Sequence, residues 1–118
     1  MIDHIELRSR DLAQSAAFYA AVLTPLGYAQ ILDGETKGFS DASGPDFFLV
    51  PGEAPDQAHY AFRAPDRATV RACCAVGETL GALQRPPALA PHIHPNYYAG
   101  YLTDPDGRLV EFTCHQPA

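Results

Sequence analysis

Two histidines and one glutamate have the types and spacing to hold a cation. His4, His59 and Glu111 each fall in a short stretch where polar and apolar residues alternate. In Ile2 to Arg8, Ile5 and Leu7 point to one side of an extended chain, and His4, Glu6 and Arg8 to the other. In the run HYAFRA, His59, Ala61 and Arg63 share a face opposite Tyr60 and Phe62. In Leu109 to Cys114, Glu111 shares its face with Leu109, Thr113 and, just beyond, His115, opposite Val110, Phe112 and Cys114. Neutral imidazole and carboxylate oxygen are borderline-to-hard donors that suit Zn, Mn, Fe, Co or Ni. Three protein donors leave coordination positions open for water or substrate, as a catalytic metal requires. The apolar faces are expected to receive helices, and the polar faces to line a wet concavity.

Other side chains compete for roles around that trio. Arg8 and Arg63 are candidate substrate-binding residues, because a guanidinium grips carboxylate or phosphate bidentately. An internal ion pair of Glu6 with one arginine is the competing reading. Tyr98 and Tyr101 are candidates to donate a hydrogen bond to a metal-bound oxygen, or simply to pack the sheet. His115 is placed to act as acid or base, or to be a solvated tail residue. His92 and His94 in PHIHP read as surface loop, Cys73 and Cys74 as packing residues, and Asp104 and Gly107 as turn chemistry.

The elements that must position these groups follow from periodicity. Strands are expected at Ile2 to Arg8, Tyr28 to Leu32, Lys37 to Asp41, Phe47 to Val50, from Ala58 through HYAFRA, Tyr97 to Thr103 and Leu109 to Cys114. Asp11, with Gln14 three residues on, opens a helix that Pro25 and Gly27 end. Asp66 opens a second helix running to about Thr79. Arg85 to Asn96 holds Pro86, Pro87, Pro91 and Pro95 and reads as loop, too irregular for a packed element.

The order repeats. A shift of 55 residues aligns His4 with His59, Arg8 with Arg63, Asp11 with Asp66, Ala13 with Ala68 and Ala17 with Ala72. A shift of 63 aligns Asp41 with Asp104, Gly44 with Gly107, and Phe48 with Glu111. One domain of 118 residues is expected, with module 1 at about 1–52 and module 2 at about 56–115.

Composition narrows the partners. The net charge of -6, without a basic cluster, is poorly suited to nucleic acid. The sequence has neither a membrane-spanning apolar run nor a signal-peptide pattern at its start, so no membrane partner and a cytoplasmic location are expected. Three cysteines, two of them adjacent, do not make a disulfide framework.

The stretches MIDHIELRSRDLAQSAAFYAAVLTPLGY, HYAFRAP and YLTDPDGRLVEF resemble the vicinal oxygen chelate superfamily of glyoxalases, bleomycin-resistance proteins, fosfomycin-resistance enzymes and extradiol dioxygenases. The resemblance covers essentially the whole chain. It implies an α+β fold of two βαβββ modules in tandem, whose mixed sheet forms a cup around a divalent metal with helices outside. It also implies a homodimer and a small-molecule substrate. His4, His59 and Glu111 match the family's ligand positions, with Glu111 the candidate catalytic carboxylate. Phe48 stands where glyoxalase I has a carboxylate ligand. A phenyl ring neither binds metal nor takes a proton, so Phe48 argues against lactoylglutathione lyase activity and is grouped with the substrate-lining residues. The family leaves open lyase or isomerase chemistry, metal-assisted addition, Fe(II)-dependent ring cleavage, and sequestration of a ligand without metal.

Overall fold

The computed structural model describes residues 1–55 and 57–118. Module 1 runs β1 (Ile5–Ser9), α1 (Leu12–Val22), β2 (Ala29–Asp33), β3 (Lys37–Asp41) and β4 (Gly44–Pro51). Module 2 repeats the order as β5 (His59–Arg63), α2 (Arg67–Thr79), β6 (Leu83–Leu89), β7 (Tyr98–Thr103) and β8 (Leu109–Cys114). Each module forms a four-stranded mixed sheet, in the orders β1-β4-β3-β2 and β5-β8-β7-β6. The first strand of each module pairs in parallel with the last. The registers match: Phe48 lies opposite Glu6 as Glu111 lies opposite Ala61. The internal duplication read from the sequence is therefore a duplication of ladder geometry. No described helix is long and apolar enough to cross a membrane.

Helix starts follow their caps. The Asp11 carboxylate accepts from the Gln14 N–H at 3.1 Å. Asp66 accepts from the Thr69 N–H and hydroxyl, both at 2.7 Å. A 3-10 turn at Thr24–Leu26 closes the first helical region on Gly27, whose φ of 87° is left-handed. Helix α2 buries Val70, Cys73, Cys74 and Gly77, a spacing that keeps one stripe on the sheet. Gly77 is required there, since a Cβ would stand 2.4 Å from a Leu102 methyl carbon. Burial pushes the Cys73 thiol up to about 12 and the Cys74 thiol to about 11, which makes both unreactive packing groups at neutral pH.

The apolar faces form one core. Val110, Phe112 and Cys114 of β8, Leu102 of β7, and Phe47 and Leu49 of β4 are buried with Tyr19 and Val22 of α1. Phe47 joins the modules, with its ring 5.4 Å from Phe62 and 4.7 Å from Tyr19. Burial of each such ring contributes roughly 1.5–3 kcal/mol.

Two expectations need correction. The Pro-rich stretch from Arg85 is not loop throughout, since β6 runs through Pro86 and Pro87 to Leu89. It lies at the outer edge of its sheet, where a missing N–H costs little. Its register with β7 breaks on both sides of Arg85, which accommodates the prolines. Second, β1 begins at Ile5 rather than Ile2, because pairing with β4 starts at Phe47. His4 therefore stands just outside the ladder.

Candidate functional site

Strands β5, β8 and β7 bring three sequence candidates together. Ala61 and Tyr101 flank Glu111 on the two neighbouring strands, and His59 is two residues from Ala61 on the same face. His59 Nε2 lies 3.0 Å from Glu111 Oε1, and the glutamate is 3% exposed. His59 Nδ1 lies 3.2 Å from the Leu109 carbonyl. A carbonyl only accepts, so Nδ1 carries the hydrogen and Nε2 of the neutral ring presents a lone pair to the carboxylate. Two lone-pair atoms at 3.0 Å need a proton or a metal ion between them. An imidazole fixed by a backbone carbonyl through one nitrogen, with the other free to bind, is the usual outer arrangement of a metal-ligating histidine. His59 and Glu111 thus fit as two donors to one ion.

The other oxygen of Glu111 accepts from the Tyr97 hydroxyl at 2.5 Å. Tyr101 stacks on His59 with centroids 6.1 Å apart and planes at 28°. The Arg85 guanidinium lies 4.2 Å over the Tyr101 ring. Burial first, and then the Glu111 carboxylate, pushes both tyrosine hydroxyls upward, so both stay protonated. Tyr98, the other tyrosine candidate, is on the opposite side of the pleat, packed against the core under Arg67 and Arg71 of α2. It does not join this group.

His94 and His115 extend the cluster. His94 Nδ1 accepts from the Asn96 N–H at 3.1 Å, so its Nε2–H donates to His115 Nδ1 at 2.7 Å. Tyr97 stands edge-on to both rings. The side chain of His94, read as surface loop, is half-buried, and His115 is stacked rather than a free tail residue. Burial first, then Arg63 and His94, pull His115 below the ordinary histidine range. The fold favours its neutral form. That contribution is complete above the ordinary histidine pKa and is lost as pH falls through the lowered folded value. In an NMR titration, His115 is expected to protonate at lower pH in the folded chain than in the urea-unfolded one. His94→Ala is expected to move its midpoint upward, and an unmoved midpoint would refute the assignment.

The remaining candidates lie elsewhere. His4 is exposed, with Nδ1 2.6 Å from the Asp3 carboxylate and its ring edge-on to Phe48 at 5.7 Å. His4 and His59 line a common cleft of about 600 Å³ with Tyr28, Asp46, Phe47 and Arg63, and Glu111 is not among the residues that line it. Among the described residues, no three His, Cys, Asp or Glu side chains form a chelating group. Glu6, Arg8 and Arg63 are exposed on the outward faces, as is His92 in its loop. Asp104 does more than close a turn. It is buried and accepts from Tyr19 of α1.

Tyr97, Arg85 and His94 were missed in the sequence. Tyr97, Ala99 and Tyr101 alternate onto the face of Glu111, a signal that was available. Arg85 was hidden by the prolines that follow it.

Two βαβββ modules in tandem, each with a four-stranded mixed sheet and one helix, define a glyoxalase-like α+β fold. The chain belongs to the Glyoxalase/Bleomycin resistance protein/Dioxygenase superfamily, whose family model matches residues 1–112. It is similar in structure to a glyoxalase/bleomycin resistance protein from Albidiferax ferrireducens, with TM-score 0.81 and 23% identity over 95% of this chain and 97% of that one. It is also similar to a lactoylglutathione lyase from Agrobacterium tumefaciens, with TM-score 0.72 and 24% identity over 97% and 92% of the two chains. The fosfomycin resistance protein FosX from Mesorhizobium loti gives TM-score 0.73 and 19% identity over 98% and 92%. At these identities the likenesses establish the fold. No curated protein matches the chain.

Proposed function

We propose that this chain is a divalent-metal enzyme of its superfamily, acting on a small oxygen-rich molecule. His59 and Glu111 would hold the ion, and His4 of module 1, which stands apart from them in this structure, would be the third donor. The observation that carries this reading is the approach of His59 Nε2 to Glu111 Oε1, with the imidazole hydrogen committed to Leu109. When bound, a divalent ion polarises substrate oxygens and stabilises negative charge that develops on them. The chain's own residues do the rest. The Leu109 carbonyl fixes the His59 ring, and Tyr97 holds the Glu111 carboxylate. Tyr101 supplies a protonated hydroxyl beside that carboxylate. Arg8 and Arg63 remain candidates for substrate contact on the exposed faces. Phe48 leaves module 1 without a carboxylate at the position equivalent to Glu111, which weighs against lactoylglutathione lyase chemistry. Among the described residues, β1, β2, β5 and β6 each have no strand on their outer side, and a homodimer of this chain is part of the proposal.

A second reading rests on the same Phe48 and on the separation of His4 from the His59–Glu111 pair. In it the domain sequesters a small ligand without metal. Elemental analysis of the purified chain, alongside His59→Ala, Glu111→Ala and His4→Ala, decides between them. About one zinc, nickel, manganese, cobalt or iron ion per chain is expected, lost in the first two variants and reduced in the third. A folded wild-type chain that retains no ion after dialysis against each metal would overturn the enzyme reading in favour of sequestration.

A further inference from the structure

We propose that Arg85 is the anion-recognition residue of the His59–Glu111 site, so that the substrate class is a small molecule carrying an oxyanion group: carboxylate, phosphate or phosphonate. The inference deepens the metal reading above and rests on it for the location of the site.

Arg85 is exposed on β6 and pairs in register with Tyr101, the residue that in turn pairs with Glu111. Its guanidinium carbon lies over the Tyr101 ring, 4.2 Å from the centroid, and Tyr101 stacks on His59. A ladder of planar groups therefore carries a permanent positive charge to the rim of the His–Glu pair. Arg85 is exposed, and a guanidinium held over a ring keeps N–H groups of its fork available for a bidentate partner. Among the described residues, the one hydrogen bond of that group is its Nε–H to the Gln84 side-chain oxygen at 3.3 Å. Among the described residues no carboxylate pairs with it, although the chain carries 14 acidic residues against 8 basic ones.

The backbone supports the same conclusion. The β6–β7 register shifts between Leu83 and Arg85 and again between Arg85 and Ala88. Such irregularities re-aim a side chain, and they collect beside functional sites. Pro86 and Pro87 lack the N–H groups a regular ladder needs, and pairing with β7 resumes only at Ala88. A cation preorganised by stacking loses little rotamer entropy when it binds an anion. The chain's net charge of -6 opposes long-range attraction of anions, so the recognition is by local contact.

The test is a titration of phosphonoacetate and, separately, of glycolate into the full chain with and without added zinc. Wild type, Arg85→Ala, Arg85→Lys and Arg63→Ala are compared by calorimetry. Both probes are expected to bind the wild type. Arg85→Ala is expected to weaken binding by about tenfold or more, as loss of a charge-assisted contact does. Arg85→Lys recovers part of the affinity, because an ammonium keeps the charge without the fork. If only phosphonoacetate shows the Arg85 dependence, the oxyanion is a phosphonate or phosphate; if both do, carboxylates qualify too. The proposal is overturned if neither probe binds the wild type, or if Arg85→Ala binds both probes as wild type does with and without zinc. It is equally overturned if Arg63→Ala shows the loss and Arg85→Ala does not. Zinc content, measured on the same samples, reports separately on the metal reading. A chain that holds no zinc but loses anion affinity in Arg85→Ala sinks that reading and leaves this one standing.

Discussion

Replacement of Asp104 by alanine is expected to destabilise the chain by about 3–5 kcal/mol, the range for removing one partner of a buried ion pair. The carboxylate accepts from the Tyr19 hydroxyl at 2.6 Å and from the N–H groups of Asp106 and Arg108, both at 2.9 Å. Arg108 is 1% exposed, and its guanidinium lies 3.5 Å from Asp104 and 3.7 Å from Asp106 while donating to the Arg8 carbonyl at 2.7 Å. Asp106 in turn accepts from the Arg10 N–H at 3.1 Å and the Ser15 hydroxyl at 3.2 Å. The turn between β7 and β8 thereby grips β1 and α1 of the other module. Loss of Asp104 leaves the Arg108 cation buried with too little negative charge and the Tyr19 hydroxyl without this acceptor. Urea unfolding followed by circular dichroism measures the change. The double variant Asp104→Asn with Arg108→Met removes charge from both sides and is expected to recover much of the loss. An Asp104→Ala chain within about 1 kcal/mol of wild type would mean that the grip is dispensable. The clamp is also acid-sensitive. Burial alone raises the Asp106 pKa, but hydrogen bonds from Arg10, Ser9 and Ser15 outweigh it and hold the carboxyl below its usual range. Its stabilisation is present above the ordinary carboxylate pKa and is lost as pH falls through the lower folded value.

That the fold was legible in the sequence while this grip was not has a physical basis. Alternation in HYAFRA and LVEFTC fixes which residues face the core, because a slip of one residue would turn Phe62 and Phe112 to water. Asp11 and Asp66 announce their helices because an N-cap acts within its own turn. DPDG does make the turn, with Gly107 at φ 88° and its N–H bonded to the Asp104 carbonyl. The partners of its carboxylates, however, lie at sequence separations of 85, 91 and 96 residues, which no local pattern encodes. The counterpart of Asp104 in module 1, Asp41, shows how far the halves have diverged. Among the described residues, the Asp41 carboxylate accepts only locally, from the N–H and hydroxyl of Ser43. The site was legible to the same degree. His59 and Glu111 sit on adjacent parallel strands, so their proximity follows from pleat and pairing. His4 belongs to the other sheet, and its position relative to them depends on how the modules pack, which strand alternation leaves undetermined. Arg85 was missed because proline signals turn or loop in a central strand but is tolerated at an edge, and edge position is a property of the folded sheet.

Tyr97→Phe is expected to lower the zinc affinity of the His59–Glu111 pair by roughly 10–100-fold, the usual consequence of removing a group that orients a metal ligand. Tyr97 precedes β7 by one residue, and its hydroxyl reaches the Glu111 oxygen that does not face His59. That contact fixes the carboxylate rotamer and leaves one oxygen directed toward His59. Without it the carboxylate keeps only its contacts with His59 and Tyr101, and the pair loses part of its preorganised spacing. The change removes one oxygen atom and keeps the ring that stands edge-on to both His94 and His115, so the fold is expected to persist. Two readouts separate orientation from general damage. Competition against a chromophoric zinc chelator reports affinity, and thermal unfolding of the metal-free chain reports stability. A positioning role requires weaker zinc binding with a metal-free melting temperature close to wild type. If zinc affinity is unchanged, Tyr97 is a packing residue and the carboxylate is held by the sheet alone. If affinity and melting temperature fall together, the hydroxyl is part of the structural core. Because Tyr97 acts through Glu111, the variant combined with Glu111→Ala is expected to bind zinc no more weakly than Glu111→Ala alone. That non-additivity ties the effect to the carboxylate rather than to the histidine pair behind it.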